Sequence, residues 1–250
     1  MNSQKKISAT IVLYNENRDY LLKSINSFLD IPLTKKLYLI DNSPTNELEN
    51  IFIHKDVEYF FMNENIGFGA AHNIVIDKIK DYSDYHIVLN PDVSFEPEVI
   101  LDLTNELNKH ENVAMIAPKV LFPNDKHQYT ARKYPNFFDL IIRRLNIYKS
   151  RIYDQEYRNQ DLTKPFFVEY LTGCFQLYKT KDFVKLGGFD KRYFLYMEDV
   201  DICKKIDLLG KQKLYYPKVS IIHILKRGSS KNIKLFFYHL SSAFKYFRKW

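Results

Sequence analysis

The chain of 250 residues carries only two cysteines, one tryptophan and seven glycines. Cys174 and Cys203 sit inside the apolar segments "LTGCFQLY" and "VDICKKI", so no disulfide framework is expected and a reduced setting fits better than an oxidising one. No uninterrupted apolar run approaches the roughly 20 residues that a membrane-spanning helix needs. The opening "MNSQKKISATIVLYN" passes from two lysines straight into a strand-like segment, without the apolar core and cleavage site of a signal peptide. These absences set the expectation of a cytoplasmic protein. Internal repeats, low-complexity tracts, zinc-ligand spacing and an RNA-recognition signature are also missing. Acidic residues are absent from one region: none follows Asp207, whereas ten lysines and arginines do.

What is present is a large apolar fraction, 46%, under a net charge of +7. That suffices for one sizeable α/β domain with additions. "ISATIVLYN" (7–15), "KLYLIDNS" (36–43), "VEYFFMN" (57–63), "HIVLN" (86–90) and "VAMIAPKV" (113–120) are short β-branched runs. Helical patterns fall between several of them, as expected for βαβ units and a largely parallel sheet. Sheets of this kind bind ligands at the carboxyl ends of their strands. The polar residues there are Tyr14 and Asn15, Asp41 and Asn42, Asn63 to Gly69, and Asn90 and Asp92. Each cluster alone is ordinary turn chemistry; together, at successive strand ends, they point to one crevice. "GFGAAHN" has neither the spacing nor the lysine of a dinucleotide or Walker phosphate loop.

Beyond Leu121 the alternation stops, and residues 122–165 are rich in Tyr, Asn, Arg and Lys around one amphipathic patch, "FFDLIIRRLNIYK". "FVEYLTGCFQLYKT" (167–180) returns to a strand pattern, with Gly173 expected at a bulge or close approach. "FLYMEDVDICKKI" then packs three carboxylates into four positions. On a helix, Glu198, Asp201 and Lys205 share one face, where a solvated i,i+4 pair is ordinary. Asp199 instead heads the apolar stripe of Ile202, Cys203 and Ile206. A carboxylate there must be paired, protonated or used. A plain helix N-cap is the structural alternative.

The ordered set "VLYN", "LIDNS", "NENIGFGAAHN", "LNPDV", "GGFDKRYFLYMEDVDIC" and "IIH" resembles the family 2 inverting glycosyltransferases, and within them the rhamnosyltransferase-type members of bacterial surface-polysaccharide pathways. The likeness runs from Ile7 to His223, apart from the variable 122–165 insert. It implies a nucleotide-sugar-binding, glycosyltransferase A-type domain around a mixed, mostly parallel sheet. It also implies a divalent metal, Mn²⁺ or Mg²⁺, to stabilise the leaving diphosphate. Asp92 matches the metal-binding position, although Asn90 replaces the first acid of the commoner D-x-D pattern. His223 matches a further metal ligand of some relatives, with a hydrogen-bonded strand-end histidine as the bland alternative. By the same resemblance Asp199 is the general base on the acceptor hydroxyl. Glu198 and Asp201 are acceptor contacts or surface charges. Tyr14, with Asn15 beside it, and Asp41 hold the nucleobase, and Asn65, Gly67, Phe68 and Asn73 pass under the donor.

The resemblance therefore implies an enzyme that moves a sugar, rhamnose from dTDP-rhamnose by subfamily, onto a glycan or lipid-diphosphate-linked saccharide in polysaccharide or O-antigen synthesis. A UDP-hexose or UDP-galactofuranose donor is the alternative within the fold, and a non-catalytic sugar-nucleotide-binding module the alternative outside catalysis. A sugar-nucleotide pyrophosphorylase would need a glycine- and arginine-rich phosphate signature, which "SATIVLYNENR" lacks. The expected division is a catalytic domain over 1–225, with 122–165 shaping the acceptor side, and a basic amphipathic helix over 226–250. Aromatic and lysine residues interleave in that helix, which suits either packing on the domain or peripheral attachment to an anionic membrane. A nucleic-acid partner is not expected.

Overall fold

The computed structural model describes residues 5–49, 53–224 and 232–250. The division expected at 225–226, and the basic residues Lys226, Arg227 and Lys231, lie outside the described residues. Strand β1 (Lys6–Leu13) leads into helix α1 (Arg18–Leu29), whose N-cap Asn17 accepts bonds from the Asp19 and Tyr20 amides at 3.1 Å. Strands β2 (Thr34–Asp41) and β3 (Val57–Phe61) follow. A broken helical segment comes next: α2 (Phe68–His72), a 3₁₀ turn (Asn73–Val75) and α3 (Ile76–Ile79). Strand β4 (Tyr85–Leu89), short β5 (Val93–Ser94), α4 (Pro97–Asn108) with proline at its first position, and β6 (Val113–Leu121) complete the regular half.

The expected insert is an excursion of small elements: β7 (His127–Gln128), β8 (Ala131–Arg132), α5 (Phe137–Leu145), α6 (Lys149–Gln155), β9 (Phe166–Phe167) and β10 (Tyr170–Leu171). The segment read as one strand over 167–180 is therefore split, with β11 (Phe175–Lys179) beginning after a turn at Gly173. A Cβ on Gly173 would meet Asp199 at 3.5 Å, an ordinary contact. The chain ends through α7 (Thr180–Lys185), α8 (Glu198–Leu208), β12 (Gln212–His223) and α9 (Ile233–Lys249).

The main path of the sheet runs β3-β2-β1-β4-β11-β6-β12-β5. Strands β1 to β4 pair in parallel, as does β12 with β6, while β11 is antiparallel to both β4 and β6. Because the excursion returns the chain to the cleft end of the sheet, β11 runs back from there. Side chains alternate between two cores. Ile7, Ile11, Leu39, Ile87 and Phe175 pack under α1 and α4 with Leu21, Ile25 and Phe28; Ile40, Val88 and Tyr178 pack with Val75, Phe183, Ile202 and Ile206 on the other face. Burying each such side chain contributes roughly 1.5–3 kcal/mol.

Candidate active site

Two contacts bring the strand ends together. The Asn90 amide donates to the Cys174 carbonyl at 2.9 Å, setting the end of β4 beside the turn that opens β11. Strand β12 reaches the same place from the other side: His223 registers with Val93 of β5, and the Ile224 amide donates to the Asp92 carbonyl at 3.0 Å. His223 Nε2 thus lies 3.3 Å from Asp92 Oδ1. That oxygen is buried and lacks a hydrogen bond of good geometry. The other face of the imidazole is fixed, with Nδ1 3.0 Å from Gln128 Oε1 while Gln128 Nε2 donates to the His223 carbonyl at 2.6 Å. Burial works against a charge on His223, yet Cys174 and Asp92 alongside raise its pKa to about 10.

A carboxylate oxygen without a hydrogen bond, facing an imidazole nitrogen, suits a divalent cation as well as it suits a proton. Among the described residues no group of three or more His, Cys, Asp and Glu gathers around a common point. Asp92 and His223 would therefore hold an ion together with substrate oxygens, the usual arrangement for Mg²⁺ and related ions at diphosphates.

Two clefts meet at this pair and share Phe68, Asn90, Leu195, Tyr196 and His223 as a common wall. The first, about 570 Å³, has Tyr14, Asn42, Asn65, Gly67 and Asp92 in its lining. Tyr14 is exposed at the rim. Asn15 adopts a left-handed conformation, φ +52°, with its amide donating to Ser43 Oγ at 2.9 Å. Asn65 Oδ1 accepts from the Gly67 amide at 3.0 Å. Gly67, at φ +88°, lies so close to the chain that a Cβ would come within 2.5 Å of the Phe194 carbonyl oxygen. Asn42, given no role from sequence, presents a buried Oδ1 without a partner, while its Nδ2 donates to the Gly67 carbonyl at 3.3 Å.

The second cleft, about 510 Å³, is lined by Asp199 and Glu198 on one side and by Gln128, Tyr129, Arg132 and Arg158 on the other. These last residues come from the 122–165 excursion, and no motif in it marked them. Tyr196 and Met197, at φ +70° and +67°, are consecutive left-handed residues that swing the chain into α8. The N-cap is Met197, not Asp199. Asp199 is half-buried and accepts from the Gly173 amide at 3.1 Å and the Val200 amide at 2.9 Å. Burial raises its pKa, against the pull of those two amides and of Arg132. Burial, followed by the charge of Asp199, pushes Glu198 well above the usual carboxylate range. The pair therefore keeps a proton on Glu198, whose Oε2 is buried without a partner, and leaves Asp199 as the group that ionises first.

Three expected site residues lie elsewhere. Asp41 is fully enclosed, and its oxygens accept from the Ser43 amide at 2.8 Å and the Tyr59 hydroxyl at 2.6 Å, so it orders the loop beneath the cleft. Asn73 bonds both backbone groups of Phe189, at 2.7 and 2.9 Å, and pins the loop before α8. Asp201 is 0% exposed rather than solvated. Its Oδ1 accepts from Lys249 Nζ at 2.7 Å, Trp250 Nε1 at 2.8 Å and the Tyr193 hydroxyl at 3.2 Å. Lys205 donates instead to the Gly188 carbonyl, at 2.6 Å. The helical wheel failed there because α9 covers the face assigned to water.

The family model for glycosyl transferase family 2 matches residues 8–187, most of the chain. The chain belongs to that family. This family 2 glycosyltransferase is 27% identical over 246 residues to rhamnosyltransferase WbbL of Escherichia coli K12, covering 94% of the chain and 90% of the relative. It is 26% identical over 201 residues to an N-acetylglucosaminyl-diphospho-decaprenol L-rhamnosyltransferase of Mycobacterium tuberculosis, covering 74% of the chain and 65% of the relative. Its fold matches that of GalNAc-T7, solved with UDP, GalNAc and Mn²⁺, at a TM-score of 0.69 and 18% identity, over 89% of this chain and 44% of that one. Staphylococcus aureus TarS matches at a TM-score of 0.60 and 14% identity, over 88% and 60%. The glycosyltransferase A-type fold and a rhamnosyltransferase-like glycosyltransferase enzyme are thereby established.

Proposed function

We propose that the enzyme transfers rhamnose with inversion from dTDP-rhamnose to a saccharide acceptor in cell-surface polysaccharide or O-antigen synthesis. The reading rests chiefly on one observation: Asp92 with His223, and Asp199 with Glu198, stand on opposite sides of a shared wall between two clefts. The Tyr14–Gly67 cleft takes the nucleotide, with the Tyr14 ring for stacking, Asn42 for base or ribose contact, and Asn65, Gly67, Phe68 and Asn90 under the sugar diphosphate. The Asp199 cleft, walled by residues of 122–165, takes the acceptor. A divalent ion on Asp92 and His223 would supply charge compensation for the departing diphosphate.

In this reading Asp199 removes the proton of the acceptor hydroxyl. The freed oxygen bonds to the anomeric carbon opposite the leaving group, the bond to the nucleoside diphosphate breaks, and configuration inverts. The amides of Gly173 and Val200 hold the carboxylate in place. Protonated Glu198 spares Asp199 a second negative neighbour and can donate to the acceptor. Glycan or lipid-diphosphate-linked saccharides are the acceptor class, by analogy with the rhamnosyltransferase relatives. A UDP-hexose donor is the second reading, because a tyrosine ring and an asparagine amide accommodate uracil as readily as thymine.

Replacing Asp199 with Asn tests the assignment. Donor affinity should stay near wild type while turnover falls about 10²–10⁴-fold, the usual contribution of a general base. Wild-type turnover in that variant would place the base elsewhere.

A further inference from the structure

Helix α5, in the middle of the excursion, leaves its apolar side uncovered: Phe138 is 70% exposed and Leu145 61%, with Phe137 and Ile141 between them in helical register. Helix α9 does the same, with Phe237 and Phe244, the latter 63% exposed, four and eleven residues after exposed Ile233. The two faces are one surface. Phe137 and Phe247 touch edge to face with ring centres 6.0 Å apart, and the Arg144 guanidinium lies 4.0 Å over the Phe236 ring. A groove of about 310 Å³ between the helices, lined by Ile141, Leu145, Phe236 and Leu240, is almost wholly apolar.

The opposite side of α9 is already bound to the domain. Lys249 pairs with Asp190 at 2.9 Å as well as with Asp201, Lys245 donates to the Arg192 carbonyl at 2.6 Å, and Ser242 Oγ to the Leu195 carbonyl at 2.9 Å. The helix is therefore held rigidly with its aromatic stripe outward, and lysines of that side are not spare charge. Charge at the rim of the apolar surface is all of one sign: Lys234, Arg248 and Lys149, with Arg144 on the groove, whereas Asp139, the acid of α5, is buried and paired with Arg151. Among the described residues no helix is long and apolar enough to cross a membrane.

We propose that α5 and α9 together form a docking face for the surface of an anionic lipid bilayer, with the aromatic stripes in the acyl boundary and the basic rim at the headgroups. Charge complementarity selects this occupant. A second copy laid face to face would set two basic rims against each other, whereas an anionic headgroup layer neutralises them. The apolar residues also lie side by side on two fixed helices, which matches a flat interface and costs little ordering on binding. The face adjoins the acceptor side of the active site, because a small cavity beside Asp199 is lined by Leu140 of α5 and His239 of α9. The inference adds α5 to the docking surface and stands independently of which nucleotide is the donor.

The test is co-sedimentation of the full chain with vesicles of phosphatidylcholine, with and without phosphatidylglycerol. Wild type should partition onto the anionic vesicles and less onto neutral ones, with raised salt weakening the difference. Phe138→Ser and Leu145→Ser on α5 should each lower the partition coefficient about tenfold, as should Phe244→Ser on α9. Melting temperature and nucleotide affinity should remain at wild-type values, which separates this outcome from any failure of the catalytic reading. No binding of wild type to anionic vesicles would overturn the proposal. So would wild-type partitioning of both α5 variants, which would leave α9 alone responsible, or a homodimer in sedimentation equilibrium that the same substitutions dissociate.

Discussion

Replacing Asp201 with Asn separates a structural carboxylate from a substrate contact. In the fold this fully buried side chain draws Lys249, Trp250 and Tyr193 onto one oxygen and so ties the end of α9 to α8. The amide keeps an acceptor for Trp250 and Tyr193 but loses the charge that Lys249 faces, a hydrogen bond worth about 1.5–3 kcal/mol. It also places an NH₂ donor at the Oδ2 position, where no acceptor bonds the present carboxylate. Lys249 retains Asp190 at 2.9 Å, which limits the loss. A net destabilisation of about 2–4 kcal/mol follows, equivalent to a melting-temperature drop of about 5–15 °C for a chain of this size. Thermal denaturation reads the drop, and acceptor KM, measured well below the new transition, should be unchanged. A melting temperature within a degree or two of wild type together with a raised acceptor KM would refute the reasoning and return Asp201 to the acceptor cleft.

Gly67→Ala meets both a glycine-favouring conformation and the Phe194 carbonyl, so it should cost about 2–4 kcal/mol and weaken nucleotide binding; wild-type melting and affinity would mean the loop yields freely. His86 is fully buried between Ser8 and Thr10, and burial lowers its pKa to about 3. The unfolded chain takes up that proton first, so this share of stability is complete above about pH 6.5 and is lost as pH falls toward 3. Moving from pH 7 to pH 5 should therefore cost wild type about 2 kcal/mol more than His86→Gln in urea denaturation. Equal losses in the two proteins would show that the histidine does not titrate in this window.

The strands were legible because β-branched runs such as "ISATIVL" are buried on both faces, and the end of each is marked by turn residues. The antiparallel insertion of β11 was not: its pattern resembles that of its parallel neighbours, and only the path of the excursion reverses it. Within the site, Asp92, His223 and Asp199 were found because a charged or titratable residue interrupts an apolar run. Asp41, Asn73 and Asp201 carry similar local signals but satisfy backbone or tail groups far away in sequence, which periodicity does not report. Gln128, Arg132 and Arg158 gave no signal beyond composition, since their position in the cleft depends on how the excursion folds back over β6 and β12.

The most direct test of the central claim, a nucleotide-sugar site organised around Asp92 and His223 beside a base at Asp199, is calorimetric binding of dTDP and UDP, each with and without Mn²⁺, to wild type and Asp92→Ala. The account predicts nucleotide binding that Mn²⁺ strengthens in wild type, loss of that strengthening in the variant, and dTDP bound more tightly than UDP. Failure of folded wild-type protein to bind either nucleotide, with or without Mn²⁺, would contradict it.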